Sequence, residues 1–236
     1  MAALRILSGG AAQGLVATLA PRFKALTGLD IEGEFGAVGT MAGKLETGTA
    51  ADLVVLTAAV MTDLVRKGLV AGDTVADIGR VETAIALRAG DPPVLITGAA
   101  SLRQALVAAD AIFVPDIKAS TAGIHVAAVL DRLGIAAEVA PRLKIFPNGA
   151  TAMRHLAASD ALAAIGCTQS TEIINTPGIV VSGPLPPGYE LETVYSAGVA
   201  SQARQAGDVQ RLISLLTAPD SGELRTKAGF LELRTR

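Results

Sequence analysis

Short runs of apolar and β-branched residues alternate along this chain with longer stretches in which apolar positions recur every three or four residues. That alternation predicts an α/β fold with mostly parallel sheets. Leu4–Ser8 reads as a strand, Gly9-Gly10 as a tight turn, and Ala11–Leu26 as a helix stopped by Gly28. Leu29–Phe35 and Asp52–Leu56 read as the next two strands. They are followed by helices over Thr40–Glu46, capped by Thr40, and over Ala58–Lys67, ended by Gly68. Val81–Arg88 is a further strand, and Gly90-Asp91-Pro92-Pro93 after it is a breaker cluster with the look of a linker. A second unit is expected from a strand at Ala111–Pro115, a loop at Lys118–Gly123 and a helix over Ile124–Leu133. A helix over Ala150–Ala158 and a strand over Leu162–Cys167 continue it. A strand over Leu191–Ala200 and helices over Asp208–Leu216 and Gly222–Gly229 close the chain. These last elements lack partners in the second pattern and are expected to return to the first. The reading is two lobes, residues 1–84 with 197–236 and residues 85–196, with a ligand cleft between them.

Composition narrows the chemistry. The 236 residues carry 20 Lys and Arg against 22 Asp and Glu, and no basic run exceeds two residues. Nucleic acid is therefore not an expected partner, since it needs clustered cations. One cysteine excludes an internal disulfide, and with only two histidines no metal site is expected. With no Trp, two Tyr and five Phe, the chain has few rings to stack on a flat ligand, so a small polar ligand held by hydrogen bonds is expected. No apolar stretch reaches the roughly 18–20 residues that span a bilayer, so membrane insertion is not expected. Met1-Ala2-Ala3-Leu4-Arg5 runs straight into a strand without a secretory leader, so the protein is expected to be cytoplasmic as given, or periplasmic if a leader has been removed.

In open α/β sheets ligands sit beyond the carboxyl ends of strands, where loops lead into helices and main-chain N–H groups are unpaired. Four segments meet that description: Ser8-Gly9-Gly10-Ala11, Gly36-Ala37-Val38-Gly39-Thr40, Lys118-Ala119-Ser120-Thr121-Ala122-Gly123 and Asn148-Gly149-Ala150-Thr151. They are expected to converge on a small anion. Fingerprints for nucleotides, zinc proteolysis and serine hydrolysis are absent, and no cofactor is expected.

The runs Leu4–Leu15, Phe35–Leu45 and Gly48–Val54, with Thr121-Ala122-Gly123-Ile124-His125 and Ala163–Cys167 further on, carry a resemblance. The chain resembles the type II periplasmic solute-binding proteins, and within them is similar to the molybdate-binding branch. The resemblance implies two α/β lobes joined by crossing hinge strands and closing on a small anion, with an ABC permease as partner only if the protein is exported. It also implies hydroxyl donors that this chain lacks. Ala11 and Val38 stand where that branch has serines, and Cys167 where it has a tyrosine, while the main-chain donors near Ala122 and Gly149 are kept. The expected ligand is therefore an organic carboxylate rather than molybdate.

The Ser8-Gly9-Gly10 turn is similar to that of aconitate-isomerase-like organic-acid relatives on the same fold, which implies a second reading. This is a cytosolic isomerase moving a proton across an unsaturated di- or tricarboxylate, a shift that needs one group to remove the proton and another to return it. Lys118 is the candidate partner for a carboxylate, and Cys167 or Glu172 the candidate proton shuttle. Thr168 and Gln169 follow Cys167 in an unusually polar run and join the candidate binding residues. His125, in the first turn of its helix, is placed to donate into the cleft. A ligand-sensing module is a third reading, without a DNA-binding segment to accompany it.

Overall fold

The computed structural model describes residues 3–234; Met1 and Ala2, read above as the approach to the first strand, and Thr235 and Arg236 lie outside the described residues. In chain order, the elements begin with β1 (Ala3–Gly9), α1 (Gln13–Thr27), β2 (Asp30–Gly36), α2 (Val38–Glu46), β3 (Leu53–Thr57), α3 (Ala58–Arg66) and β4 (Ala76–Arg88). There follow α4 (Ala99–Ala108), β5 (Ala111–Pro115), α5 (Thr121–Arg132), α6 (Ala136–Val139), β6 (Leu143–Phe146), α7 (Gly149–Ala157), β7 (Ala164–Gln169), α8 (Ser170–Ile174) and β8 (Ile179–Pro184). The chain ends with β9 (Glu192–Val199), α9 (Ala206–Thr217) and α10 (Gly222–Lys227). It divides into two compact units, one comprising residues up to Val81 and from Thr193 onward, the other Glu82–Glu192. The division falls inside β4 and at the start of β9, so Gly90–Pro93 belongs to the second unit and is not a linker.

In the first unit the strand order is β2-β1-β3-β9-β4. β1 runs parallel to β2 and β3, and β9 is antiparallel to β3. Every residue of β3 is buried, the pattern of a strand covered on both faces. Its apolar side chains share one core with Leu15, Leu19 and Phe23 of α1, Met41 and Leu45 of α2, and Leu212 and Leu216 of α9. Gly28 ends α1 in the left-handed region at φ 74°, a conformation that costs a glycine little. α2 begins at Val38 with Ala37 before it, so Thr40 lies inside the first turn and does not cap it.

The second unit has the order β4-β7-β5-β6, with β8 also on β4. β5 is parallel to β6 and β7, while β4 is antiparallel to β7 and β8. The pleat sorts side chains to two faces. Ile85, Leu87, Ile165 and Cys167 share a core with Val126, Val129 and Leu130 of α5, whereas Ala84, Ala86 and Ala164 pack with Met153 and Leu156 of α7.

Candidate ligand-binding site

The sequence places ligand contacts at the carboxyl ends of the parallel strands, and each unit is taken separately. In the first unit β1 and β2 end in register, Gly9 beside Gly36. The Ser8 hydroxyl, fully buried, donates to the Gly9 carbonyl at 2.8 Å. Gly10-Ala11-Ala12 forms a single 3-10 turn leading into α1, and Ala11 is a core residue. A Cβ on Gly9 would stand 2.9 Å from Tyr195 Cε1 and 3.2 Å from Val38 Cγ2, so the tyrosine ring of β9 is what excludes a side chain there. Val38 is itself part of the core, whereas Gly39 and Thr40 are exposed in the first turn of α2.

In the second unit the expected loop Lys118–Gly123 is shorter than the sequence suggests. Asp116 Oδ1 accepts from the N–H groups of Lys118 and Ala119 at 2.7 and 2.8 Å, a local turn that satisfies both donors. Asp116 thus holds the main chain at Lys118, whose side chain is exposed. Helix α5 starts at Thr121, which puts Thr121, Ala122 and Gly123 in its first turn. Its N-cap residue, Ser120, is buried and makes no side-chain capping bond among the described residues. The first turn of this twelve-residue helix, at the positive pole of its dipole, holds no acidic side chain. His125 points elsewhere: its Nε2 lies 2.7 Å from the Tyr189 carbonyl oxygen.

The start of α7 is occupied. Asn148 caps it, its Oδ1 accepting from the Thr151 N–H at 2.8 Å. The main-chain N–H groups of Gly149 and Ala150, expected to meet a ligand, donate instead to the Glu172 carboxyl group. The Gln169 N–H donates to the same group, and the Thr168 hydroxyl does so at 2.6 Å. A Cβ on Gly149 would overlap both the Glu172 carboxyl and the Thr168 hydroxyl, so glycine is what lets the helix end close on the carboxyl. Burial pushes the Glu172 carboxyl above its ordinary range, offset in part by these four hydrogen bonds. The expected proton shuttle is a built-in cap.

Cys167, the other candidate shuttle, is a core residue rather than a strand end. β7 runs two residues past it to Gln169, and the thiol is packed in the core with Ile85 and Val126. Burial pushes it up to about 12, so it carries no thiolate at neutral pH. The residue that ends the strand is Gln169, 3% exposed, directly opposite Thr83 of β4. By the pleat both side chains lie on the face that Ile85 and Cys167 share with α5. Neither Gln169 Oε1, Gln169 Nε2 nor Thr83 Oγ1 has a hydrogen-bond partner among the described residues. In the sequence Thr83 reads as an ordinary strand residue; only strand pairing brings it to Gln169.

The second unit thus holds a helix N-terminus without a side-chain cap, and unpartnered buried amide and hydroxyl groups on the sheet face that this helix covers. A family model described as bacterial extracellular solute-binding protein matches residues 4–231, and the chain belongs to that family. It is similar to the aconitate isomerase of a Pseudomonas species, 24% identical over 96% of this chain and 87% of the relative. Among solved structures it is similar to the periplasmic molybdate-binding protein of Azotobacter vinelandii, with TM-score 0.80 and 15% identity over 98% of this chain and all of that one. It is also similar to the sulfate-binding protein SubI of Mycobacterium tuberculosis H37Rv, with TM-score 0.76 and 18% identity over 99% of this chain and 88% of that one. These likenesses agree on the type II periplasmic-binding fold.

Proposed function

We propose that the protein binds a small organic anion, a carboxylate rather than molybdate, through the first turn of α5 and the end of β7. The observation that carries this reading is Gln169, buried with both amide atoms unpartnered on the sheet face that α5 covers. Burying such a group without a partner costs about 1–3 kcal/mol, a cost relieved when a ligand arrives. The open N-terminus of α5 supplies the attraction for negative charge. The molybdate and sulfate specificities of the structural neighbours support an anion, while Ala11 and Val38, both core residues, offer no hydroxyl for a tetrahedral oxyanion.

The test is calorimetric titration with di- and tricarboxylates, sulfate, phosphate and molybdate, on the wild type and on Thr121→Pro. Proline is tolerated at the first position of a helix and removes one N–H, and Ser120 before it is already extended at φ −92°, ψ 133°. The variant is expected to unfold at the wild-type temperature and to bind the carboxylate about ten-fold more weakly or worse. Unchanged affinity would remove α5 from the site.

The similarity to aconitate isomerase favours a second reading, turnover of an unsaturated acid at the same place. Incubation with cis- and trans-aconitate in D₂O, followed by NMR, separates the two: deuterium uptake marks an enzyme, an unchanged ligand a binder.

A further inference from the structure

Gln169 and Thr83 face each other across the β4–β7 pair, where directly opposed side chains stand about 4.5–5.5 Å apart at Cβ. Each is more than nine-tenths buried, yet they do not bond to one another. Together they leave a carbonyl acceptor, an NH₂ donor and a hydroxyl unpaired. Whichever way the amide is turned, it presents one oxygen that can only accept. A fully deprotonated oxyanion such as sulfate or molybdate brings acceptors alone, so it can take up the NH₂ and hydroxyl donors but leaves that carbonyl buried and unpaired.

We propose that Gln169 and Thr83 form a specificity subsite that requires the ligand to carry a hydrogen-bond donor beside its anionic group, and that the ligand class is therefore a hydroxy acid. This rests on the reading that α5 takes the ligand's negative charge. A hydroxyl next to a carboxylate donates to Gln169 Oε1 and accepts from the Thr83 hydroxyl or the amide NH₂, which satisfies the acceptor that sulfate strands. Selection of this kind is steep, because a site built to pair a hydroxyl is left with unpaired buried groups when the hydroxyl is missing.

The experiment compares matched acids that differ by one hydroxyl: malate with succinate, citrate with tricarballylate, and lactate with propionate, with sulfate as the donor-free control. Affinities are measured by calorimetry on the wild type, Thr83→Val and Gln169→Leu. In at least one pair the hydroxy acid is expected to bind the wild type at least ten-fold more tightly than its partner. Thr83→Val and Gln169→Leu are expected to bring that ratio to within about three-fold. The wild-type comparison stands alone should either variant fail to fold. If anions bind but no pair differs by more than about three-fold in the wild type, water fills the subsite and this inference falls while the anion reading survives. If no acid and no inorganic anion binds, the anion reading itself fails and takes the subsite with it.

Discussion

Glu172→Ala is the substitution on which the account of the α7 end depends most directly. The wild-type carboxyl group accepts four hydrogen bonds, from the Thr168 hydroxyl and from the N–H groups of Gly149, Ala150 and Gln169. Alanine leaves all four donors without that acceptor, in a place where Glu172 is 7% and Thr168 0% exposed. An orphaned buried donor costs about 1–3 kcal/mol; water entering the vacated space holds the figure near 1 kcal/mol each, or about 4 kcal/mol in all. For a chain of this size each kcal/mol moves the melting temperature by about 2–4 °C, so a fall of roughly 8–16 °C is expected. Glu172→Gln keeps one acceptor oxygen but turns an NH₂ toward the donors, and should fall between the two. Thermal unfolding followed by circular dichroism gives the shift, and hydrogen exchange locates it: the Gly149 and Ala150 amides should be protected in the wild type and exchange fast in the alanine variant. A melting temperature within about 3 °C of wild type, with those amides still protected, would refute the reasoning.

Other consequences follow from individual side chains. At Asp52 burial pushes the carboxyl up, but the N–H groups of Arg5 and Arg204 and the Arg5 guanidinium more than offset it, so the folded value lies below the ordinary one. The unfolded chain then takes up the proton first. Stability from Asp52 is complete above about pH 4 and lost as pH falls through the folded value. Urea titrations at several acid pH values should show a flatter profile for Asp52→Asn. Cys167 should not react with a thiol reagent in the native protein and should react fully in urea; a fast native reaction would contradict its place in the core. Gly9→Ala should destabilise by about 1–3 kcal/mol in urea unfolding, because its Cβ has to move Tyr195, a ring held edge-on by Phe230 at 6.4 Å.

Much of the α/β pattern can be read from the residues alone. α1 with its Gly28 stop and α3 with Gly68 after it stand out because a periodic apolar run meets a left-handed glycine. β3 stands out because it is apolar throughout. The sequence hides what depends on partners. α4, β6, α8 and β8 escape because they are short or weakly patterned: β6 has only four residues, and β8 carries exposed Val180 and Val181. Apolarity ends at Cys167, so Thr168 and Gln169 read as loop, whereas pairing with Ala84 and Thr83 keeps them in the strand. The glycines at 9 and 149 could be picked out, but their reasons could not: one yields to an internal ring and the other to an internal carboxyl.

The placement of the two tyrosines has a practical consequence. The chain has no tryptophan, and its near-ultraviolet signal comes chiefly from Tyr195 and Tyr189. Tyr195 is sealed in the core of the first unit; Tyr189 is half-buried in the second, with the Arg132 guanidinium 4.4 Å above its ring. Each unit thus carries its own chromophore, so replacing either tyrosine by phenylalanine leaves a spectrum that follows the melting of the other unit by itself, without any added dye.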